Sequence, residues 1–328
     1  MRCICLFMYK SKVGLIGLGQ WGKNIYRNLE TFNVIEKVYD TKLENLLLNV
    51  ADKTKIAKSY DELILSKEID SIFIASPAST HKDYIIQSLL NNKNVFVEKP
   101  LCLSLEEAYE IKRIANHVNK FVFVGHLLQY HNAFNELKKN VQSGRVGKLQ
   151  IIKANRLNFG AIREKENVLY DLTSHDISMI LSITNTLPKK VEINAIFKFS
   201  KEIADYINVI LFFDKNIIAI INSDWISPYK EHRFSVFGTD GSLIFDDIKD
   251  WPEKLVYNPS LINNDKKIIY QPEIAIPVKK HEPLKQEIEA FLKYAANKEI
   301  PITNIEEALN VQIVLNMIEK KLKEKYFT

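Results

Sequence analysis

Val13-Gly14-Leu15-Ile16-Gly17-Leu18-Gly19-Gln20-Trp21-Gly22 decides the fold. A short apolar run leads straight into G-x-G-x-x-G, and Asp40 closes the next apolar run, Val34 to Tyr39. Strand, glycine turn, helix and a second strand ending in a carboxylate are the parts of a site for the two phosphates and one ribose of a dinucleotide. Gly17 permits the tight turn, Gly19 lets the backbone approach the pyrophosphate, and Gly22 lets the helix pack closely on the strand. Gln20 and Trp21 lie between these glycines at the helix N-terminus, where backbone N–H groups and the positive dipole end face the phosphates. Asp40 also selects the cofactor. It accepts hydrogen bonds from ribose hydroxyls and repels a 2′-phosphate, and the next residues are Thr41 and Lys42 rather than arginine. The expected cofactor is therefore NAD and not NADP. The competing reading of Asp40 is a strand-end carboxylate that caps the helix starting near Thr41.

Composition bounds the class. The 328 residues are 46% apolar and 26% charged, as expected of a soluble globular chain of two domains. Lys+Arg 45 against Asp+Glu 40 leaves a net charge of +5, mixed along the chain, so no nucleic-acid groove is expected. No apolar run is long enough to span a membrane. Cys3, Cys5 and Cys102 argue against a disulfide framework and for a reducing, cytoplasmic setting. With no companion Cys/His cluster beside Cys3 and Cys5, no metal site is expected. Met1 to Met8, apolar with one arginine, reads as an extension of the first strand or a frayed leader.

The first 125 residues alternate strand and helix signals. Strands are predicted at Lys12–Ile16, Val34–Tyr39, Ser71–Ala75, Val95–Val97 and Phe121–Val124, with a weaker one near Lys55–Lys58. Helices are predicted at Trp21–Leu29, Leu43–Val50, Thr80–Asn91 and Leu105–Val118, the last opened by a Ser104/Glu107 capping box. Such alternation implies α/β architecture, a parallel sheet with helices on both faces. After Gly125 the pattern changes. β-rich runs follow at Leu149–Asn158, Val191–Phe199, Tyr206–Phe213, Ile217–Ser223, Arg233–Gly238 and Ser242–Phe245, with a hairpin signal at Asp240-Gly241. Helices are predicted at Ala133–Ser143, Asp176–Leu181, Leu284–Ala296 and Ile305–Lys323, the last capped from Asn304. This predicts an open sheet with helices on one face and the other face available to another subunit.

Two clusters look like chemistry. Glu98-Lys99-Pro100 ends a buried strand at the sheet edge where ligands bind, and Ser76, Pro77 and His81 follow another strand at the same edge, near the cofactor ribose. Asp171 and His175 stand four apart, one face of a helical turn, where a carboxylate can set an imidazole's tautomer and leave its other nitrogen to take a proton. His126 and His131 read as structural.

Gly17-x-Gly19-x-x-Gly22, Glu98-Lys99-Pro100 and Asp171-x-x-x-His175 occur in that order, and on them the chain resembles the Gfo/Idh/MocA family of NAD(P)-dependent sugar and polyol oxidoreductases over nearly its whole length. The resemblance implies an N-terminal Rossmann domain with a doubly wound parallel sheet, residues 1–125. An α+β domain, residues 126–328, follows with a large open, mostly antiparallel sheet that joins homodimers or homotetramers. It implies hydride transfer between a sugar hydroxyl carbon and the nicotinamide, with Lys99 on the reacting oxygen, His175 as general acid/base and Asp171 orienting it. Thr173-Ser174 stand where many relatives carry glycine or a small-residue/proline pair, so the turn around Asp171 is expected to differ. The stretch Asn155 to Gly160, then Ile162-Arg163, Glu166-Asn167-Val168 and Asp171, is similar to the branch acting on UDP-linked amino sugars. Arg156, Asn158 and Arg163 join Lys99 and His175 as substrate-binding candidates, because guanidinium forks match a diphosphate or carboxylate. The competing reading pairs the arginines with Glu164 or Glu166. The expected activity is NAD-dependent oxidation of a ring hydroxyl, at C3, of a nucleotide-linked sugar such as UDP-N-acetylglucosamine. The alternatives are an inositol or free-sugar dehydrogenase of the same family, and an NAD-binding regulatory protein without turnover.

Overall fold

The computed structural model describes residues 11–163, 167–263, 265–297 and 300–327; Met1 to Met8 with Cys3 and Cys5, and Glu164 and Glu166, lie outside them. In chain order the elements are β1 (Val13–Ile16), α1 (Gly22–Thr31), β2 (Ile35–Tyr39), α2 (Leu43–Asn49), α3 (Tyr60–Ile64), β3 (Ser71–Ile74), α4 (His81–Leu90), β4 (Asn94–Glu98), α5 (Leu105–His117) and β5 (Val122–Gly125). There follow α6 (Asn132–Gln142), β6 (Leu149–Phe159), α7 (Ser174–Thr184), β7 (Lys190–Ile196), β8 (Tyr206–Phe212), β9 (Ile218–Asp224), β10 (Ile226–Gly238) and β11 (Gly241–Asp246). The chain closes with β12 (Leu255–Asn258), β13 (Leu261–Ile262), β14 (Ile268–Ile269), β15 (Ile274–Ala275), α8 (Pro283–Asn297) and α9 (Ile305–Tyr326). It packs as two units: the chain up to Leu127 with Glu282–Leu309, and Leu128–His281 with the chain from Asn310 onward.

In the first unit the strands pair in the order β2-β1-β3-β4-β5, all parallel. β1, β3 and β5 are buried at every position, so they read as unbroken apolar runs rather than alternating ones. The order reverses between β1 and β3, and the crevice at their carboxyl ends is where an open α/β sheet binds ligands. The expected capping box is present: Ser104 accepts from the Glu107 N–H at 3.2 Å, and the Glu107 carboxylate takes the Leu103 N–H at 3.1 Å. A second box opens α3. Ser59 accepts from the Glu62 N–H at 3.4 Å, while Glu62 takes the Lys58 N–H at 2.8 Å. The weak strand expected near Lys55–Lys58 reduces to one bridge, Val38 to Ile56.

The sequence boundary after Gly125 places everything beyond it in a second domain. α8 instead belongs to the first unit, and its aromatic residues explain why. Phe73, Phe96 and Phe123, one each from β3, β4 and β5, form a stack with centroids 4.5 and 5.0 Å apart. Phe291 of α8 meets all three edge-on, at 4.8, 6.0 and 5.8 Å. Tyr294, one turn on, stacks on Phe121 at 3.8 Å. Burial of so large an aromatic surface outweighs sequence distance.

In the second unit eight strands pair in the order β15-β12-β11-β10-β6-β9-β8-β7, antiparallel throughout except β6 beside β9. The Asp240-Gly241 turn joins β10 to β11 as expected. One face carries Ile152, Ala154, Val209, Leu211, Ile221, Phe234 and Val236 into a core with Phe134 of α6, Ile177 of α7 and Val314 and Ile318 of α9. On the opposite face Asn194, Asn208, Asn222 and Asn155 stand in one cross-strand row. Their amides bond in sequence at 3.3, 3.0 and 2.9 Å, and the row ends on Glu231 at 2.9 Å. Among the described residues no helix is long and apolar enough to cross a membrane.

Phe291→Ala is expected to destabilise the protein by about 3–5 kcal/mol, the usual cost of truncating a buried phenylalanine. Urea unfolding measures it; a loss below about 1 kcal/mol would show that the contact does not hold α8 in place.

Candidate functional site

The loop between β1 and α1 shows why three glycines are needed. Gly17 has φ +93°, and a Cβ there would lie 2.6 Å from the Ala75 carbonyl. A Cβ on Gly22 would lie 2.2 Å from the Gly17 oxygen, so the first residue of α1 sits directly on the turn. Gly19 is the opposite case: nothing lies within 4 Å of its would-be Cβ. Two glycines are required by the protein itself, and the third faces open space at the mouth of a cavity. No side chain caps α1 at Trp21, which suits a helix end built to receive an anion.

That cavity, about 410 Å³, is lined by Gly17, Gly19, Asp40, Lys42, Ser76, Pro77, Thr80 and Tyr84, among others. Asp40 ends β2 as expected, and its carboxylate works hard within the protein. One oxygen accepts the Leu18 N–H at 2.6 Å; the other accepts the Lys42 N–H at 2.7 Å and the Asn45 amide at 3.2 Å. These bonds are to the phosphate turn and to the approach to α2, whose N-cap, Lys42, has no side-chain cap. Asp40 anchors the entry to α2, and a carboxylate with about four lone-pair sites still has capacity for a ribose hydroxyl. The residues present fit a dinucleotide: a side-chain-free phosphate turn, an uncapped helix end and a carboxylate at the second strand.

Ser76 and Pro77 line the cavity, and the Ser76 hydroxyl pairs with that of Thr80 at 2.7 Å. His81 stands behind them. It is 1% exposed, with Nδ1 2.8 Å from the Pro100 oxygen and Nε2 2.9 Å from the Ser76 oxygen. It is a strut between two loops of the site, and burial pushes its imidazole below the usual range. Glu98 and Lys99 are half-buried at the end of β4, followed by buried Pro100. Glu98 accepts the Trp21 indole N–H at 2.5 Å, tying β4 to the head of α1. His126, just past β5, has Nδ1 2.6 Å from the Glu307 carboxylate.

In the second unit, Asp171 lies in a π-helical turn, Leu169–Thr173, that runs directly into α7, where His175 is the second residue. Such a widened turn is common at functional sites. The Arg163 Nε lies 3.2 Å from the Asp171 carboxylate. Arg156 and Asn158 lie toward the end of β6, Asn158 half-buried, and Arg156 closes a two-pronged pair on Asp176 at 3.0 and 2.8 Å, with 11% and 3% of the two side chains exposed. Neither described pairing is the Glu164 or Glu166 contact weighed from sequence. His131 is structural: it caps α6 by accepting from the Ala133 N–H and stacks on Trp251.

Sequence reading missed His232. It stands opposite Arg156 on β10, its Nε2 is buried without a hydrogen-bond partner among the described residues, and burial, then the Arg156 charge, pushes it down to about 4. It also missed Glu287, fully buried in α8. Neither has a local pattern around it, since each is defined by partners on other elements.

Two family models match the chain. One, described as an oxidoreductase family with an NAD-binding Rossmann fold, covers residues 11–126; the other, a GFO/IDH/MocA C-terminal domain, covers residues 134–244. The chain is 23% identical over 330 residues to the myo-inositol 2-dehydrogenase of Thermotoga maritima, spanning 96% of this chain and 97% of that protein. It is 25% identical over 322 residues to the scyllo-inositol 2-dehydrogenase (NAD(+)) of Bacillus subtilis, spanning 93% and 92%. Among solved structures, the UDP-N-acetylglucosamine 3-dehydrogenase GnnA of Acidithiobacillus ferrooxidans shares the fold, with a TM-score of 0.82 at 20% identity over 94% of this chain and 97% of that one.

Gly19 and Gly22 are expected to fail differently. Gly22→Ala, forced against the Gly17 carbonyl, should lose about 1–3 kcal/mol of stability. Gly19→Ala should keep its stability and weaken NAD binding about tenfold or more. Thermal unfolding paired with NAD titration distinguishes them; equal behaviour would refute the assignment.

Proposed function

The chain belongs to the GFO/IDH/MocA oxidoreductase family, and on that premise we propose that it oxidises a ring hydroxyl of a cyclic polyol or sugar to the ketone with NAD, an inositol-type ring being the first substrate class. The observation that supports a neutral ring is the Arg156–Asp176 pair. With its fork closed on a buried carboxylate, Arg156 is withdrawn as a ligand for a diphosphate. The two inositol dehydrogenases matched over more than nine-tenths of this chain point the same way.

NAD, when bound, supplies the hydride acceptor. The backbone of Gly17 to Gly22, with Gln20 and Trp21 at the helix end, holds its phosphates; Asp40 takes a ribose hydroxyl; Ser76 and Pro77 line the cavity that His81 braces. Lys99 hydrogen-bonds the reacting oxygen and holds the negative charge that develops there. His175 takes the hydroxyl proton, Asp171 orients the imidazole, and Asn158 bonds a further hydroxyl. A second reading, a nucleotide-linked sugar oxidised at C3, is favoured by Arg163, whose side chain is 48% exposed and open to an anionic group. The open sheet face, where Ile210, Ile220 and Ile151 flank the asparagine row, takes a second copy of the chain in this reading.

Absorbance at 340 nm with NAD and a panel of myo-inositol, scyllo-inositol, free sugars and UDP-N-acetylglucosamine tests the substrate. Turnover of inositols supports the first reading, turnover of the UDP-sugar alone supports the second, and no turnover on the panel overturns both. Lys99→Ala and His175→Ala should each lower kcat/KM by about 10²–10⁴-fold while NAD affinity holds within about threefold. Loss of NAD binding in Lys99→Ala would assign that lysine to the cofactor instead.

A further inference from the structure

Near Lys99 the first unit gathers three carboxyls that the proposed mechanism leaves unused, one of them fully buried. Glu98 ends β4, Glu287 lies in α8 and Glu307 in the first turn of α9, with His126 just past β5. The Glu98 carboxyl lies flat on Gly125: a Cβ built there would meet Oε2, Cδ and Oε1 at 3.0, 3.1 and 3.2 Å. Glu98 has its donor in the Trp21 indole, and Glu307 has His126. Glu287 has none. It is 0% exposed, and neither of its oxygens has a hydrogen-bond partner among the described residues. The charges that act on it are those of Glu98 and Glu307, both carboxyls. An ionised Glu287 would be a buried charge with no donor and two neighbours of its own sign, which a protein does not sustain. Nor do these side chains form a cation site, since among the described residues no group of His, Cys, Asp or Glu is arranged to hold a metal ion.

We infer that Glu287 is kept as a neutral carboxylic acid behind Glu98, so that Glu98 is the titrating carboxyl of the cluster and acts as a positioning residue for Lys99 and for Trp21 at the head of α1. Burial pushes Glu98 up to about 7, against the opposing pull of the Trp21 N–H, Lys99 and His126. Burial, then the charges of Glu98 and Glu307, pushes Glu287 well above the carboxylate range. The groups that set the balance are therefore Lys99 just past the same strand, Trp21 at the head of α1, His126 after β5, Glu287 from α8 and Glu307 from α9. Above neutrality Glu98 is a carboxylate that holds the indole N–H and attracts the neighbouring ammonium. Below it, the proton weakens both ties, and Lys99 loses its electrostatic anchor.

The effect on turnover rests on the dehydrogenase reading; the titration itself does not, and is measured on the full chain without cofactor or substrate. Carboxyl ¹³C NMR of glutamate-labelled protein, with Glu98→Gln and Glu287→Gln to assign the signals, should show Glu98 titrating near neutrality and Glu287 still neutral where Glu98 has ionised. The Trp21 indole N–H signal in the unsubstituted protein should follow the same midpoint, independently of any variant. Glu287→Gln, a neutral isostere, should fold normally and leave that midpoint in place. An ionised Glu287 at pH 7, a midpoint in Glu287→Gln lowered by about one unit or more, or failure of this variant to fold would each overturn the inference. With an active substrate, Glu98→Gln should lower kcat about tenfold with the KM for NAD within about threefold. A loss confined to NAD affinity would make Glu98 a cofactor ligand rather than a positioning residue.

Discussion

Everything in the nucleotide-binding unit depends on one close approach, the first residue of α1 lying against the Gly17 carbonyl with no room for a side chain. That approach brings the N-terminal end of a helix to the carboxyl ends of β1 and β3, where the strand order reverses. Asp40 locks the arrangement from the side. By accepting the N–H groups of Leu18 and Lys42 it joins the phosphate turn to the entry of α2, so a single carboxylate both shapes the cavity and lines it. The open space around Gly19 is a consequence of these two restraints, because the turn is held from both ends and its middle is left clear.

The carboxyl end of β4 is organised by charge instead of by sterics. Glu98 links α1, through Trp21, to the lysine that follows it. Its neighbours come from parts of the chain nearly two hundred residues away, carried there by α8 and the first turn of α9. The aromatic contact of Phe291 with the sheet therefore has an electrostatic effect. By docking α8 it buries Glu287 within reach of the charges of Glu98 and Glu307, and burial with those charges raises the proton affinity of Glu287 itself.

The second unit separates its tasks by the two faces of one sheet. Alternate residues of β6 make this plain: Ile152 and Ala154 enter the core, while Asn155 joins the amide row on the other side. Arg156 falls on the core side, where an isolated guanidinium would be intolerable, and Asp176 on α7 answers it. A buried pair of this kind is costly to break, because the partner left behind is an uncompensated charge. It ties β6 to the first turn of α7, the turn that also carries His175.

Much was legible in the chain because its causes are local. A glycine turn is dictated by sterics within a few residues, a capping box by one hydrogen bond three positions away, and a strand by the alternation or continuity of its own side chains. Hence Gly17 and Gly22, the Ser104 cap, the Asp240-Gly241 turn, the parallel first sheet and the β-rich second unit could all be read in advance. What only the tertiary structure decided involves partners remote in sequence: the return of α8 to the first unit, the commitment of Arg156 to Asp176, the strut made by His81, the loneliness of Glu287. Whether a charge is free to meet a ligand or already spent on another residue depends on which surfaces are buried together, and burial is a property of the folded whole that no stretch of sequence carries by itself.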